Sequence, residues 1–181
     1  LNYGFALGWV NASPSVTPTL KDIQDAFAEA AQGAGPNDWL RGRGYDDSRL
    51  DIHRHPTKEE LDQVTGDRPT ILTRTCGHMS VVNSAALRLA GIGAETADPP
   101  GGRIVRDENG EPTGLLQEEA QKLVRQHIPE ATVDDIKEAL MRAGNKFLEM
   151  GITSVGEAAI RSSKEMQAYQ ELHREGKLPV R

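Results

Sequence analysis

The chain has 181 residues, 27 of them acidic and 21 basic, for a formal charge of −6. That length can bury a full core and reads as one domain or one and a half, while the acidic balance argues against nucleic acid or an anionic membrane surface as partner. One cysteine, Cys76, excludes an intrachain disulfide and suits a reducing, cytoplasmic setting, and no apolar run approaches the ~18 residues of a membrane span.

Leu1-Asn2-Tyr3-Gly4-Phe5-Ala6-Leu7-Gly8 has no basic n-region and no cleavage pattern, so it does not read as a signal peptide. Both ends read as cut, and the chain is expected to be an internal piece of a longer protein. Thr19 caps a predicted helix with Leu20, Ile23, Phe27 and Ala30 on one face, ending at Gly33. The Gly42–Arg49 run reads as turn-like. Thr57 and Glu60 form a capping box for a short helix carrying Leu61 and Val64. Thr70-Ile71-Leu72-Thr73 is a strand candidate by its β-branched residues. Asn83 or Ser84 caps a short helix stopped by Gly91, and Ala94–Gly102 is a Pro- and Gly-rich loop.

Arg103–Arg106 reads as a strand entering a hairpin turn at Asn109-Gly110, followed by a strand near Thr113–Leu116. Ala120, Leu123 and Val124 share a face of a further helix. Thr132 with Asp135 opens the clearest helix, burying Ile136, Leu140, Ala143, Phe147 and Met150, with Gly151 at its C′ position. Ile152–Val155 is expected as a strand. Ser162 with Glu165 opens the last helix, burying Met166, Tyr169 and Leu172, and another strand is expected at Leu178. This alternation in the second half predicts βαβ units and a parallel sheet.

Five histidines are present. His53 and His55, separated by one residue, have the spacing that grips one metal from a strand end. Against this, the run before them is polar, and His55-Pro56 leads straight into the Thr57 cap, so a polar loop is the preferred reading. His78 follows a predicted strand end, where an imidazole can orient substrate or donate a hydrogen bond to developing charge; capping the following turn is the alternative. Cys76 reads as a small buried side chain rather than a nucleophile. His127 and His173 read as surface residues on helices.

An ordered series of motifs resembles the amidohydrolase-3 branch of the amidohydrolase superfamily, the metal-dependent group that includes N-substituted formamide deformylases. They are Trp39-Leu40-Arg41-Gly42-Arg43-Gly44-Tyr45-Asp46, His55-Pro56-Thr57 through Asp62, Cys76-Gly77-His78, Val82-Asn83-Ser84-Ala85-Ala86-Leu87, Asp98-Pro99-Pro100-Gly101-Gly102, Thr113-Gly114-Leu115-Leu116-Gln117-Glu118 and Gly151-Ile152-Thr153-Ser154-Val155-Gly156-Glu157-Ala158. Cys76 departs from the family's usual Asp, and Glu157 replaces another.

The resemblance implies an α/β fold: a partial (β/α)8-barrel of two to three βα units plus an inserted small α/β domain. Residues 1–35 would follow the first barrel strand, 36–112 form the insertion, and 113–181 supply barrel βα units. A whole barrel needs ~250 residues. The resemblance further implies Glu118 as a metal ligand at a strand end, with a helix-dipole partner as the alternative, His78 as a catalytic group, and Glu157 as a pocket-lining carboxylate or simply a residue before the next helix. Implied with them are a divalent metal, zinc by preference, and a small amide-type substrate. Because the family's HxH would lie upstream of Leu1, the isolated chain is expected to be inactive, and its exposed strand edges predict self-association. A non-catalytic binding or regulatory module, or a compact metallohydrolase built from His53, His55 and His78, are the other readings.

Overall fold

The computed structural model describes residues 1–35 and 38–181, so the boundary expected at residue 36 lies outside the described residues. The elements begin with α1 (Asn2–Ala6), β1 (Val10–Asn11), α2 (Leu20–Gly33), β2 (Leu40–Tyr45), α3 (Lys58–Thr65), β3 (Thr70–Arg74) and β4 (Met79–Val82). They continue with α4 (Ser84–Leu89), β5 (Gly102–Arg106), β6 (Pro112–Glu118), α5 (Gln121–Arg125), α6 (Val133–Glu149) and α7 (Ser163–Arg174). Two compact units result: Trp9–Pro129, and Leu1–Gly8 with Glu130–Arg181.

The larger unit is a mixed α/β structure on one six-stranded sheet, ordered β1-β2-β3-β4-β6-β5. β1, β2 and β3 run parallel through the connections α2 and α3; from β4 onward every pairing is antiparallel. The βαβ units therefore sit in the first half of the chain. β6, expected to open a parallel series, pairs antiparallel with β4 and β5. One face of the sheet buries Leu40, Tyr45, Leu72, Val81 and Leu115 with Ile23 and Phe27 of α2 and Leu61 of α3. The other buries Ile71, Val82, Ile104 and Leu116 with Ala86 and Leu87 of α4 and Val124 of α5.

The helix starts follow the capping signals. Thr19 with Asp22 and Thr57 with Glu60 close reciprocal boxes, and Asn83 caps α4 through the amide of Ala86. The turn-like reading of Gly42–Arg49 is corrected at β2. A Cβ on Gly42 would lie 2.7 Å from Phe27 Cζ, so this glycine marks the close approach of α2 to the sheet rather than a turn. Gly44, at φ +100°, sits where the β2–β3 register shifts between Arg43 and Tyr45, which is the geometry of a bulge.

The smaller unit packs Ile136 and Leu140 of α6 against Ala168 and Leu172 of α7, with Phe5 of α1 and the preceding Leu1 joining them. Thr132 and Asp135 form the capping box of α6, and Gly151 takes the left-handed conformation past its end. Two expectations fail on exposure: Met150 is 60% and Met166 43% exposed, because Met150 is the C-cap residue past the end of α6 and Met166 lies off the Ala168–Leu172 face of α7. Ile152–Val155 forms no regular strand. It makes two backbone bonds to Arg181, Val155 N–H to its carbonyl at 2.8 Å and Arg181 N–H to the Thr153 carbonyl at 3.0 Å. All of residues 151–164 are exposed, and a parallel pair needs cover on both faces to become a sheet. Among the described residues no helix is long and apolar enough to cross a membrane.

Candidate active site at the carboxyl end of the sheet

β3 ends at Arg74 and turns through Gly77, at φ +79°, into β4. The return aligns Met79 with Gln117 of β6, which sets the next pair, His78 and Glu118, side by side. The Glu118 amide donates to the His78 carbonyl at 2.8 Å, and His78 Nδ1 lies 2.9 Å from Glu118 Oε2. The two predicted residues, 40 positions apart in sequence, thus meet. Both side chains are open to solvent, 65% and 57% exposed. The hydrogen bond to the Glu118 carboxylate, then its charge, raises the His78 pKa. Glu118 itself holds a left-handed backbone, φ +49°, a conformation that costs about 1 kcal/mol or more outside glycine.

A second polar cluster gathers beyond the ends of β2 and β3. Arg74 bonds Asp47 at 2.5 Å and Asp46 at 3.2 Å, and the Asp47 bond raises the guanidinium's pKa. The buried Tyr45 hydroxyl lies 3.0 Å from His55 Nδ1. Burial, then the charge of Asp47, pushes the Tyr45 pKa up. Burial pulls His55 down, more than Asp47, 3.8 Å away, restores. Cys76 is exposed, not buried as expected, because it lies in the turn rather than on a strand. The partial desolvation that pushes its thiol up is outweighed by hydrogen bonds with Arg74 and the His78 amide, leaving its pKa lowered.

Gln121 joins the turn to the strand end. It is 6% exposed. Its amide nitrogen donates to the Gly77 carbonyl at 3.3 Å and to that of Glu118 at 3.4 Å. Its oxygen accepts from Ser80 Oγ at 2.6 Å and from Arg125 at 2.8 Å. Ser80 Oγ in turn lies 3.1 Å from Thr73 Oγ1. Sequence reasoning missed Arg74, Tyr45 and Gln121. The signals were Gln121 three residues past Glu118, and Ser80 in an otherwise apolar run.

The other candidates lie elsewhere. His53, at φ +47°, is exposed in a turn, and His55 is engaged by Tyr45. His127 and His173 are exposed. Glu157 belongs to the smaller unit, where its Oε2 accepts from the Leu1 amine at 2.9 Å and the Tyr169 hydroxyl at 3.4 Å; the amine's hydrogen bond is the chief reason its pKa is lowered. Among the described residues no three His, Cys, Asp or Glu side chains converge as metal ligands. His78 and Glu118 are two donors where a catalytic zinc takes three from protein, so the described residues do not form a complete metal site.

The sequence pattern of the amidohydrolase family matches residues 1–181. The chain belongs to the amidohydrolase family. This amidohydrolase chain is 40% identical over 169 residues to the protein YtcJ of Bacillus subtilis (strain 168), covering 90% of the chain and 32% of YtcJ. It is 35% identical over 179 residues to the N-substituted formamide deformylase of Arthrobacter pascens, covering 97% of the chain and 33% of that enzyme. Among solved structures, an uncharacterized metal-dependent hydrolase from Pyrococcus horikoshii OT3 superposes with a TM-score of 0.68 at 26% identity, over 99% of this chain and 33% of that one. The amidohydrolase chain therefore spans about a third of the length of the relatives it matches.

Proposed function

We propose that this chain is part of a hydrolase that cleaves an amide-type C–N bond in a small molecule. The observation that carries the reading is the His78–Glu118 contact at the carboxyl end of the sheet, the end where α/β enzymes assemble their sites. β1, β2 and β3 with α2 and α3 would supply two βα units of a (β/α)8 barrel in the intact protein, beside those expected of residues 113–181. Parallel order and helices over one face support that assignment.

In the intact protein a divalent ion, zinc by preference, would polarise the scissile carbonyl and activate water. Glu118 is proposed as one of its ligands, the rest lying outside the described residues. With Nδ1 held by Glu118, His78 keeps its proton further toward neutral pH. It can then donate a hydrogen bond to negative charge developing on the carbonyl oxygen, or a proton to the leaving nitrogen. Glu157 stands as the pocket-lining carboxylate on its motif alone. The 181-residue chain by itself should be inactive and hold no stoichiometric zinc after dialysis. Full zinc occupancy or turnover in it would overturn this reading. In the intact protein, His78→Ala and Glu118→Gln should each lower kcat/KM by about 10²-fold or more; unchanged rates would remove them from the chemistry. Self-association through exposed Leu148, Met150 and Val155 belongs to the same proposal, and a monomeric mass by light scattering would refute it.

A further inference from the structure

A cleft of about 450 Å³ opens on the face of the sheet that carries Ile71, lined by Trp9, Arg41, Arg43, Thr73, Arg74 and Arg125 among others. Its size suits a small ligand. Four guanidinium groups line one small cleft in a chain whose formal charge is −6.

These cations are not equally engaged. Arg74 is bound to Asp46 and Asp47. Arg41 lies over the Trp9 ring, 5.6 Å from its centroid. Arg43 and Arg125 have no carboxylate within ion-pair distance among the described residues. Among the described residues the Arg125 side chain bonds only the neutral oxygen of Gln121, at 2.8 Å. Desolvation lowers the Arg125 pKa, and no acid among the described residues offsets it. A partly desolvated cation without a counter-charge is costly, and an incoming anion relieves that cost.

Register explains the arrangement. Arg43 pairs with Thr73 and Thr73 with Ser80, a polar row across three adjacent strands at their site end. Two residues back along β3, Ile71 pairs with Val82 and the same face is apolar. The row leads through Ser80 and Gln121 to the Gly77 turn beside His78. Trp9, Ile71 and Ile128 supply apolar wall for an organic body, while the planar guanidinium forks match a carboxylate.

We infer that this cleft binds the carboxylate of a small organic acid, with Arg43 and Arg125 as its principal partners. That the acid is a substrate rests on the hydrolase reading above, in which case the cleaved amide would carry a carboxylate away from the scissile bond. The binding itself does not need that reading.

The test is a titration of the metal-free 181-residue chain, by amide chemical shifts, with benzoate, its neutral counterpart benzamide, and inorganic phosphate. Benzoate should shift Trp9, Thr73 and Gly77, and bind about tenfold more tightly than benzamide, the size of one charged hydrogen bond. Arg43→Gln and Arg125→Gln, each checked for a native spectrum, should each weaken benzoate by a similar factor. Arg43 bonds no other described side chain in the fold, so its variant keeps the test open if Arg125→Gln unfolds. Equal binding of benzoate and benzamide, shifts elsewhere, no effect of Arg43→Gln, or phosphate binding as tightly as benzoate would each overturn the inference. Because binding is read without metal or turnover, this can fail while the hydrolase reading stands, and the reverse.

Discussion

The two units spell out similar local patterns and reach different ends. In Trp9–Pro129, β-branched Thr70–Thr73 becomes a central strand, paired on both sides and covered on both faces. In the smaller unit Ile152-Thr153-Ser154-Val155 is just as β-prone, yet its backbone bonds run back to Phe147 at the end of α6 and twice to Arg181, and it has no buried side chain. Strand propensity is therefore permissive. What converts it into a strand is a neighbour to bond and a core to face. The larger unit supplies both, through two βαβ connections and two antiparallel turns.

That contrast is broken or sharpened by substitution. Leu72→Ala, at a fully buried position, should destabilise the larger unit by about 2–5 kcal/mol, whereas Val155→Ala should stay within about 0.5 kcal/mol; urea titration measures both, and equal costs would end the comparison. Asn83→Ala comes next. Its side chain accepts from the Thr70 and Ala86 amides and donates to Thr65 Oγ1 and the Arg68 carbonyl. Losing both the cap and a buried partner should cost about 2–4 kcal/mol. Ser162→Ala removes only the cap of α7 and should cost about 1 kcal/mol, visible as faster amide exchange in its first turn.

The smallest effects are those of pH, and His55 and His78 oppose each other. His78 is raised above its ordinary 6.5 by Glu118. It stabilises the fold fully below 6.5 and loses that contribution as pH rises through its raised value. His55 is lowered from 6.5 by burial, so its contribution is present above 6.5 and lost as pH falls. Imidazole titration by NMR should place them on opposite sides of 6.5, and Glu118→Gln should bring His78 back without moving His55. Coincident titrations would show that neither environment persists in solution.

What could be read from the sequence was local. Thr57 and Glu60, or Thr132 and Asp135, sit three residues apart, so their helix starts need no knowledge of the fold. β2 was hidden because Gly42 and Gly44 resemble turn residues, when one admits Phe27 and the other a bulge. β4 was hidden behind the glycine turn and Ser80. His78 and Glu118 stood out separately as motif ends. Their contact did not, because it depends on the pairing of β4 with β6, and nothing in either segment states that register. The arginine cleft was illegible for the same reason: Arg43, Thr73 and Arg125 become neighbours only once the sheet and α5 exist.

The antiparallel return from β3 into β4 makes the candidate site sensitive to counting. His78 faces Glu118 because Met79 faces Gln117. A residue inserted or lost within Leu115–Gln117 would offer His78 a different partner and turn alternate side chains to the opposite face. Lengthening the Asp107–Gly110 turn leaves that alignment alone, since β6 meets β4 independently of it. The two ends of the same hairpin thus differ in evolutionary freedom: its tip can drift in length, while its base works as a gauge block whose thickness sets which two side chains meet.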